Sequence, residues 1–255
     1  MLKEIIIAIQ SYGAAHRFVV KHKLWEWILI TGLIYAILFF SSMYFFWGTS
    51  KGVIEYVLNA TGLTNWLLQF KESFWGLIIL VIRIGIQLIL FLFYFSLFKY
   101  IFLIVGSPLF AYLSEKTAAL LEGKDFPFSF KQLIKDIGRG IKIALRNTLW
   151  QTVYSISILL LSFIPLVGLA TAVMAFLIEC YYLGFSMLDY SCERNKLSTS
   201  QSIAFIGKHK GLAIGNGIVF YLMHLVIFVG WILAPTYAVI AATLSLYKAQ
   251  HTKLP

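Results

Sequence analysis

Long apolar runs separated by short polar and basic segments dominate the chain, and the runs are continuous rather than alternating residue by residue. Continuous runs of this length predict helices, not the strands of a membrane barrel. Residues 1–23 read as an amphipathic helix, with Ile5, Ile6, Ile9 and Tyr12 on one face and Lys3, Glu4, Gln10 and Arg17 elsewhere. Such a helix is expected to lie in the membrane interface. Residues 27–47 predict a first spanning helix, with Trp25, Trp27 and Trp47 where indoles favour the headgroup layers. A polar connection is expected over 48–73, and residues 74–105 predict a second span. At about 1.5 Å per residue the second run is near 48 Å, longer than the hydrocarbon core, so it must tilt or extend beyond it. Residues 128–148 predict a basic amphipathic helix. Lys131, Lys135, Arg139, Lys142 and Arg146 form one stripe of it, opposite Phe130, Leu133, Ile134, Ile137, Ile141 and Leu145. The cations are expected to reach out to anionic lipid. Residues 149–188 form a third apolar stretch, interrupted at Pro165 and Gly168. Residues 211–247 form a fourth, interrupted near Gly230 and Pro235. Proline lacks the N–H that continues a helix.

Composition turns this pattern into a class. Of the 255 residues 60% are hydrophobic and 13% charged, which makes the chain an integral membrane protein, read as a single membrane domain over 1–255. The net charge is +10, but the cations flank apolar runs instead of forming a nucleic-acid surface, so no nucleic-acid partner is expected. Seventeen of the 21 lysines and arginines lie in the N-terminal segment, 106–148, 189–210 and the tail. The positive-inside rule puts all four segments, and both termini, in the cytoplasm. The third and fourth stretches must then each enter and return on the same side. From the positions of Pro165 and Pro235, one arm of each is only about 20 Å of helix, short of a roughly 30 Å core. Both therefore read as hairpins that turn within the membrane, where irregular backbone needs cover from protein or a watery cavity. Six full spans with tight outer loops is the alternative.

Chemistry is sparse. There is no P-loop, HExxH or nucleophile elbow, the five histidines lack metal spacing, and Cys180 and Cys192 read as two reduced thiols. No enzyme, metal or cofactor is expected. Arg83 stands well inside the second run, with Gln87 one turn on, and Glu179 is the acid at comparable depth in the third. An intramembrane cation marks either an anion pathway or a tether, here an Arg83–Glu179 pair. Gly184, Gly211, Gly215 and Gly217 read as packing positions, and His224 as a core histidine.

Several stretches resemble the CysZ-like sulfate permeases and their relatives, the etoposide-induced membrane proteins. They are "SPLFAYLSEK" (107–116), "SFIPLVG" (162–168), "LGFSMLDY" (183–190), "HKGLAIGNG" (209–217) and "APTYAVIAATL" (234–244), in family order. The resemblance implies an all-α membrane protein with two long transmembrane helices and two half-penetrating helical hairpins. It also implies an oligomer of the bacterial inner membrane that takes up sulfate or a related small oxyanion for cysteine synthesis without ATP hydrolysis. Within it Pro108, Glu115, Pro165 and Pro235 read as structural or pathway positions, with Glu115 and Lys116 following a break at Pro108. Sulfate-binding members carry a Gly-Leu-Arg motif before the first span. Here Leu24 matches, Lys23 replaces the glycine, and Trp25 and Glu26 stand at the arginine positions. Lys21 and Lys23, with His22 if protonated, could substitute the charge, while Glu26 would oppose a dianion. A non-transporting membrane scaffold of the same family is the alternative function.

Overall fold

The computed structural model describes residues 1–62, 74–124, 130–162, 164, 167–226 and 228–251, and at some helical positions, Arg83 among them, the backbone alone. Among the described residues the ordered structure is helical: α1 (Leu2–Lys21), α2 (Trp25–Ala60), α3 (Phe74–Glu122), α4 (Phe130–Ser162), α5 (Val167–Arg194), α6 (Thr199–Lys208), α7 (Lys210–His224) and α8 (Val229–His251). Among the described residues, three stretches are long and apolar enough to cross a membrane, Trp25–Ala60, Ala170–Glu193 and Val229–Ala249. The chain divides into two compact units, Met1–Tyr35 with Leu103–Pro255, and Ala36–Phe102.

Helix boundaries depart from the sequence pattern in three places. The first span does not stop at Trp47, because α2 continues to Ala60, 36 residues or about 54 Å. Lys51 and Glu55 are polar but good helix formers, so polarity alone does not end the helix. The break expected at Pro108 is absent, since α3 runs through it for 49 residues. Proline leaves the carbonyl four residues back without its N–H donor. That carbonyl is Ile104's, and Ser107 Oγ donates to it at 2.8 Å. As the pattern suggests, the basic amphipathic segment runs on into the first arm of the third stretch as one helix, α4. In the fourth stretch the turn is not at Gly230–Pro235: α7 ends at His224, α8 begins at Val229, and Pro235 lies inside α8. The turn is closed by Leu225 N–H to Tyr221 O at 3.1 Å and Trp231 Nε1–H to the His224 carbonyl at 3.1 Å, with Phe228 left-handed at φ 64°. The short arm is therefore α7, 15 residues or about 22 Å, while α8 has 23 residues, about 34 Å. Pro165 lies outside the described residues; the flanking helices end at Ser162 and resume at Val167.

In the larger unit α7 packs between α5, α1 and α8. Two glycines set the α5–α7 crossing. A Cβ on Gly217 would fall 1.7 Å from the Cys180 carbonyl oxygen, and one on Gly184 would fall 1.9 Å from that of Ala213. Hydrogen bonds tie the helices at depth. Tyr12 OH donates to Asn216, Thr236 donates to Thr31 at 3.1 Å, and Ser114, Ser191 and Thr243 form a buried hydroxyl triangle with sides of 3.0 to 3.1 Å. α1 is not only a surface helix: Ala8, Tyr12, Ala15 and Val19 are buried against α7 and α8, while Ile6 and Ile9 stay exposed. The expected isoleucine face is thus split, because the small residues allow the closer approach. In the smaller unit an aromatic stack joins α2 to α3, with Phe46–Tyr94 centroids 4.8 Å apart and Phe39–Phe98 5.6 Å apart.

Candidate functional site

The most organised ionic site is one that sequence reading did not find. Arg139 projects from α4 into the ends of α5 and α6. Its Nη2 donates to Asp189 Oδ1 at 2.9 Å and to Ser202 Oγ at 2.7 Å, and its Nε donates to Asp189 Oδ2 at 3.3 Å. Nη1 donates to the Leu197 carbonyl, and Glu193 Oε1 lies 3.5 Å from Nε. Both members of the main pair are nearly enclosed, with side-chain exposures of 12% for Arg139 and 4% for Asp189. The planar fork of a guanidinium suits this two-pronged grip on a carboxylate. Burial works against the charge, but the hydrogen bonds and field of Asp189, followed by Glu193, outweigh it and raise the Arg139 pKa. One side chain thereby clamps α4, α5 and the α5–α6 connection together.

This clamp forms the wall of a cleft of about 740 Å³, lined by Glu115 of α3, Lys135 and Arg139 of α4, Glu193 of α5, and Lys196, Leu197, Ser198 and Thr199. Ser198 caps α6 by accepting from Gln201 N–H, and Gln201 Oε1 accepts in return from Ser198 N–H. The Lys135 and Lys196 ammonium groups make no ion pair or hydrogen bond among the described residues. Lys196 sits at φ 59°, left-handed, as the residue that closes α5. Its N–H reaches Glu193 O at 2.8 Å and Leu197 N–H reaches Cys192 O at 3.2 Å. That is a Schellman cap, in which glycine is the usual occupant.

The same cap ends α1. Leu24 N–H bonds Val19 O at 3.0 Å, Lys23 N–H bonds Val20 O at 3.4 Å, and Lys23 is left-handed at φ 52°. The position where sulfate-binding members carry glycine is thus one whose backbone favours glycine. At this corner Lys21 and Lys23 are exposed, whereas Leu24 is 1% exposed and packs in the core. The His22 imidazole is held below its ordinary pKa by partial burial and by Lys21, so it is neutral at pH 7 and adds no charge to the corner.

The remaining sequence candidates are dispersed. The Arg83 side chain lies outside the described residues, so the Arg83–Glu179 pair is not seen. Glu179 accepts a hydrogen bond from Gln151 Nε2, which joins α5 to α4. Gln87 donates to Ser50 Oγ at 3.4 Å and lines a groove of about 340 Å³ with Lys51 and Glu55. The Lys116 ammonium sits 4.9 Å over the Trp27 ring. The basic stripe of α4 is also divided. Lys135 and Lys142 are exposed and the Lys131 side chain is not described, but Arg139 is clamped and Arg146 turns to Asn147 and over the Phe185 ring at 5.5 Å. Ile134, Leu145, Leu149, Val153, Ile156 and Leu160, each more than half exposed, lie on the exposed side of the helix that also carries Lys135 and Lys142, and this is the side left for lipid.

The model of the family described as Sulfate transporter CysZ/Etoposide-induced protein 2.4 matches residues 11–235. The chain belongs to this CysZ/etoposide-induced protein family. Among its members, the sulfate transporter CysZ of Pseudomonas aeruginosa is similar at 27% identity over 184 residues, 71% of each chain. That of Pectobacterium atrosepticum is 28% identical over 183 residues, 71% of this chain and 63% of its own. That of Pseudomonas fluorescens strain SBW25 is 30% identical over 143 residues, 55% of this chain and 56% of its own. With three apolar helices of spanning length, the chain is a membrane protein of a family whose named members here are transporters.

Proposed function

We propose that this protein conducts sulfate, or a related small oxyanion, across the bacterial inner membrane without ATP hydrolysis. The carrying observation is membership of a family whose similar proteins are named sulfate transporter CysZ. In this reading α2 and α3 are the two long spanning helices. The α4–α5 and α7–α8 pairs are hairpins that enter from the cytosol and turn inside the bilayer, and both termini are cytosolic. The short α7 supports the partial depth of the second hairpin. Lys21 and Lys23 at the α1–α2 corner, seated on Leu24, gather the anion, Arg83 and Gln87 carry charge compensation into the membrane, and Glu179 keeps the first hairpin closed through Gln151. The cleft holding Lys135 and Lys196 is the cytosolic basin. The working form is a homo-oligomer.

A second reading, a membrane scaffold of the same family, is favoured by Glu26, whose exposed carboxylate stands beside the lysine corner where a dianion would be repelled. Growth separates the two. A bacterium lacking its own sulfate uptake, given this gene, grows on limiting sulfate if the chain conducts it. Rescue by cysteine but not by this gene, with the protein present in the membrane, would leave the scaffold reading.

A further inference from the structure

We infer that the groove between α1 and α8 is a binding site for the phosphodiester headgroup of an anionic glycerophospholipid. The groove has a volume of about 530 Å³, and its lining includes Gln10, Gly13, Ala14 and Arg17 from α1 and Tyr247 and Lys248 from α8. Among the described residues its charged lining is Arg17 and Lys248. The larger cleft differs, since Glu115 and Glu193 oppose its cations. Arg17 is exposed and makes no hydrogen bond or ion pair among the described residues, so its guanidinium is available.

The location matches the ligand. Lys248 and Tyr247 stand where apolar α8 gives way to polar chain, the place where aromatic and basic residues meet headgroups. α1 crosses the matching end of α7, because Glu4 accepts from Gly211 N–H at 3.2 Å and pairs with His209 Nδ1 at 2.7 Å. The outward face of α1 carries two chemistries side by side. Gln10 and Arg17 lie on one edge, and Leu2, Ile6, Ile9 and Val20, exposed by 42 to 72%, lie on the other. A free oxyanion has no use for that apolar edge; an acyl chain does. Gly13 leaves the way open between the two edges, since a Cβ there would meet nothing within 4 Å. The headgroup phosphate sits between Arg17 and Lys248 and an acyl chain runs past Gly13 over Ile9 and Ile6.

Native mass spectrometry of the detergent-purified full chain, titrated with dioleoylphosphatidylglycerol or dioleoylphosphatidylcholine, tests this. The wild type is expected to retain the anionic lipid at least five-fold more than the zwitterionic one. The double variant Arg17→Gln/Lys248→Gln is expected to lose that preference. Gly13→Leu fills the groove with both charges intact and has open space to do so, and it is expected to lose retention equally. If all three proteins hold phosphatidylglycerol alike, or if sodium sulfate at matched ionic strength displaces it from the wild type, the site is not a lipid site. Should the double variant fail to fold, Gly13→Leu decides alone.

Discussion

At the scale of single residues, two lysines and one arginine carry the account. Lys23 and Lys196 each occupy a left-handed cap position, at φ 52° and φ 59°, where a side chain is strained. Gly123 ends α3 in the same way at φ 63° with no strain, so the fold has a cheaper solution at hand and does not use it at the lysines. Strain of this kind persists where the side chain is wanted. Lys196→Gly is therefore expected to stabilise the protein by about 1 kcal/mol while reducing sulfate flux. A higher melting temperature with unchanged flux would show that the ammonium does nothing. Arg139 makes the opposite prediction. Arg139→Met leaves Asp189 buried without its partner and is expected to cost about 3 to 5 kcal/mol. Asp189→Leu strands the guanidinium in turn. The double replacement removes both charges, so in detergent melts it is expected to be more stable than either single variant; a double variant as unstable as the sum would mean the two do not act as a pair. The arginine's role was hidden in the sequence because its partner is 50 positions away and a basic stripe on an amphipathic helix most simply faces lipid. The visible hint was Asp189, an acid closing an apolar run, which needs a cation.

At the scale of elements, the apolar runs were legible as helices because a bilayer demands about 20 residues of continuous apolar chain. The ends of the helices were not. Proline marks a possible break, but a neighbouring hydroxyl can supply the lost donor, as Ser107 does for the Ile104 carbonyl beside Pro108. Ser107→Ala is accordingly expected to weaken α3 at this point, read as faster hydrogen exchange around Ile104; unchanged exchange would mean that the hydroxyl is not the substitute donor. The real turn of the last hairpin, at Leu225–Phe228, contains no proline or glycine and leaves no such mark in the sequence. Glycine was the more reliable signal. Gly217→Leu places a side chain onto the Cys180 carbonyl and is expected to abolish the folded form, whereas Gly13→Leu, in open space, is not. Hairpin depth is a separate matter that chemistry can reach. Single cysteines at Ile164 and Val226, in a chain with Cys180 and Cys192 replaced by alanine, are expected to resist thiol reagents confined to the outside of the cell. Rapid labelling at either would make that hairpin a full crossing.

At the scale of the whole molecule, membership of the CysZ family and the apolar helices support a role in sulfate transport at the level of the family. In the proposed reading the oxyanion moves down its own gradient, which takes a shielded route and neutralising charge. The most direct measurement is the uptake of radiolabelled sulfate into sealed vesicles containing the purified protein, with an inward sulfate gradient and no ATP. The account predicts uptake well above protein-free vesicles, several-fold lower when Lys135 and Lys196 are both replaced by glutamine. Uptake indistinguishable from empty vesicles, with the protein folded and inserted, would contradict it.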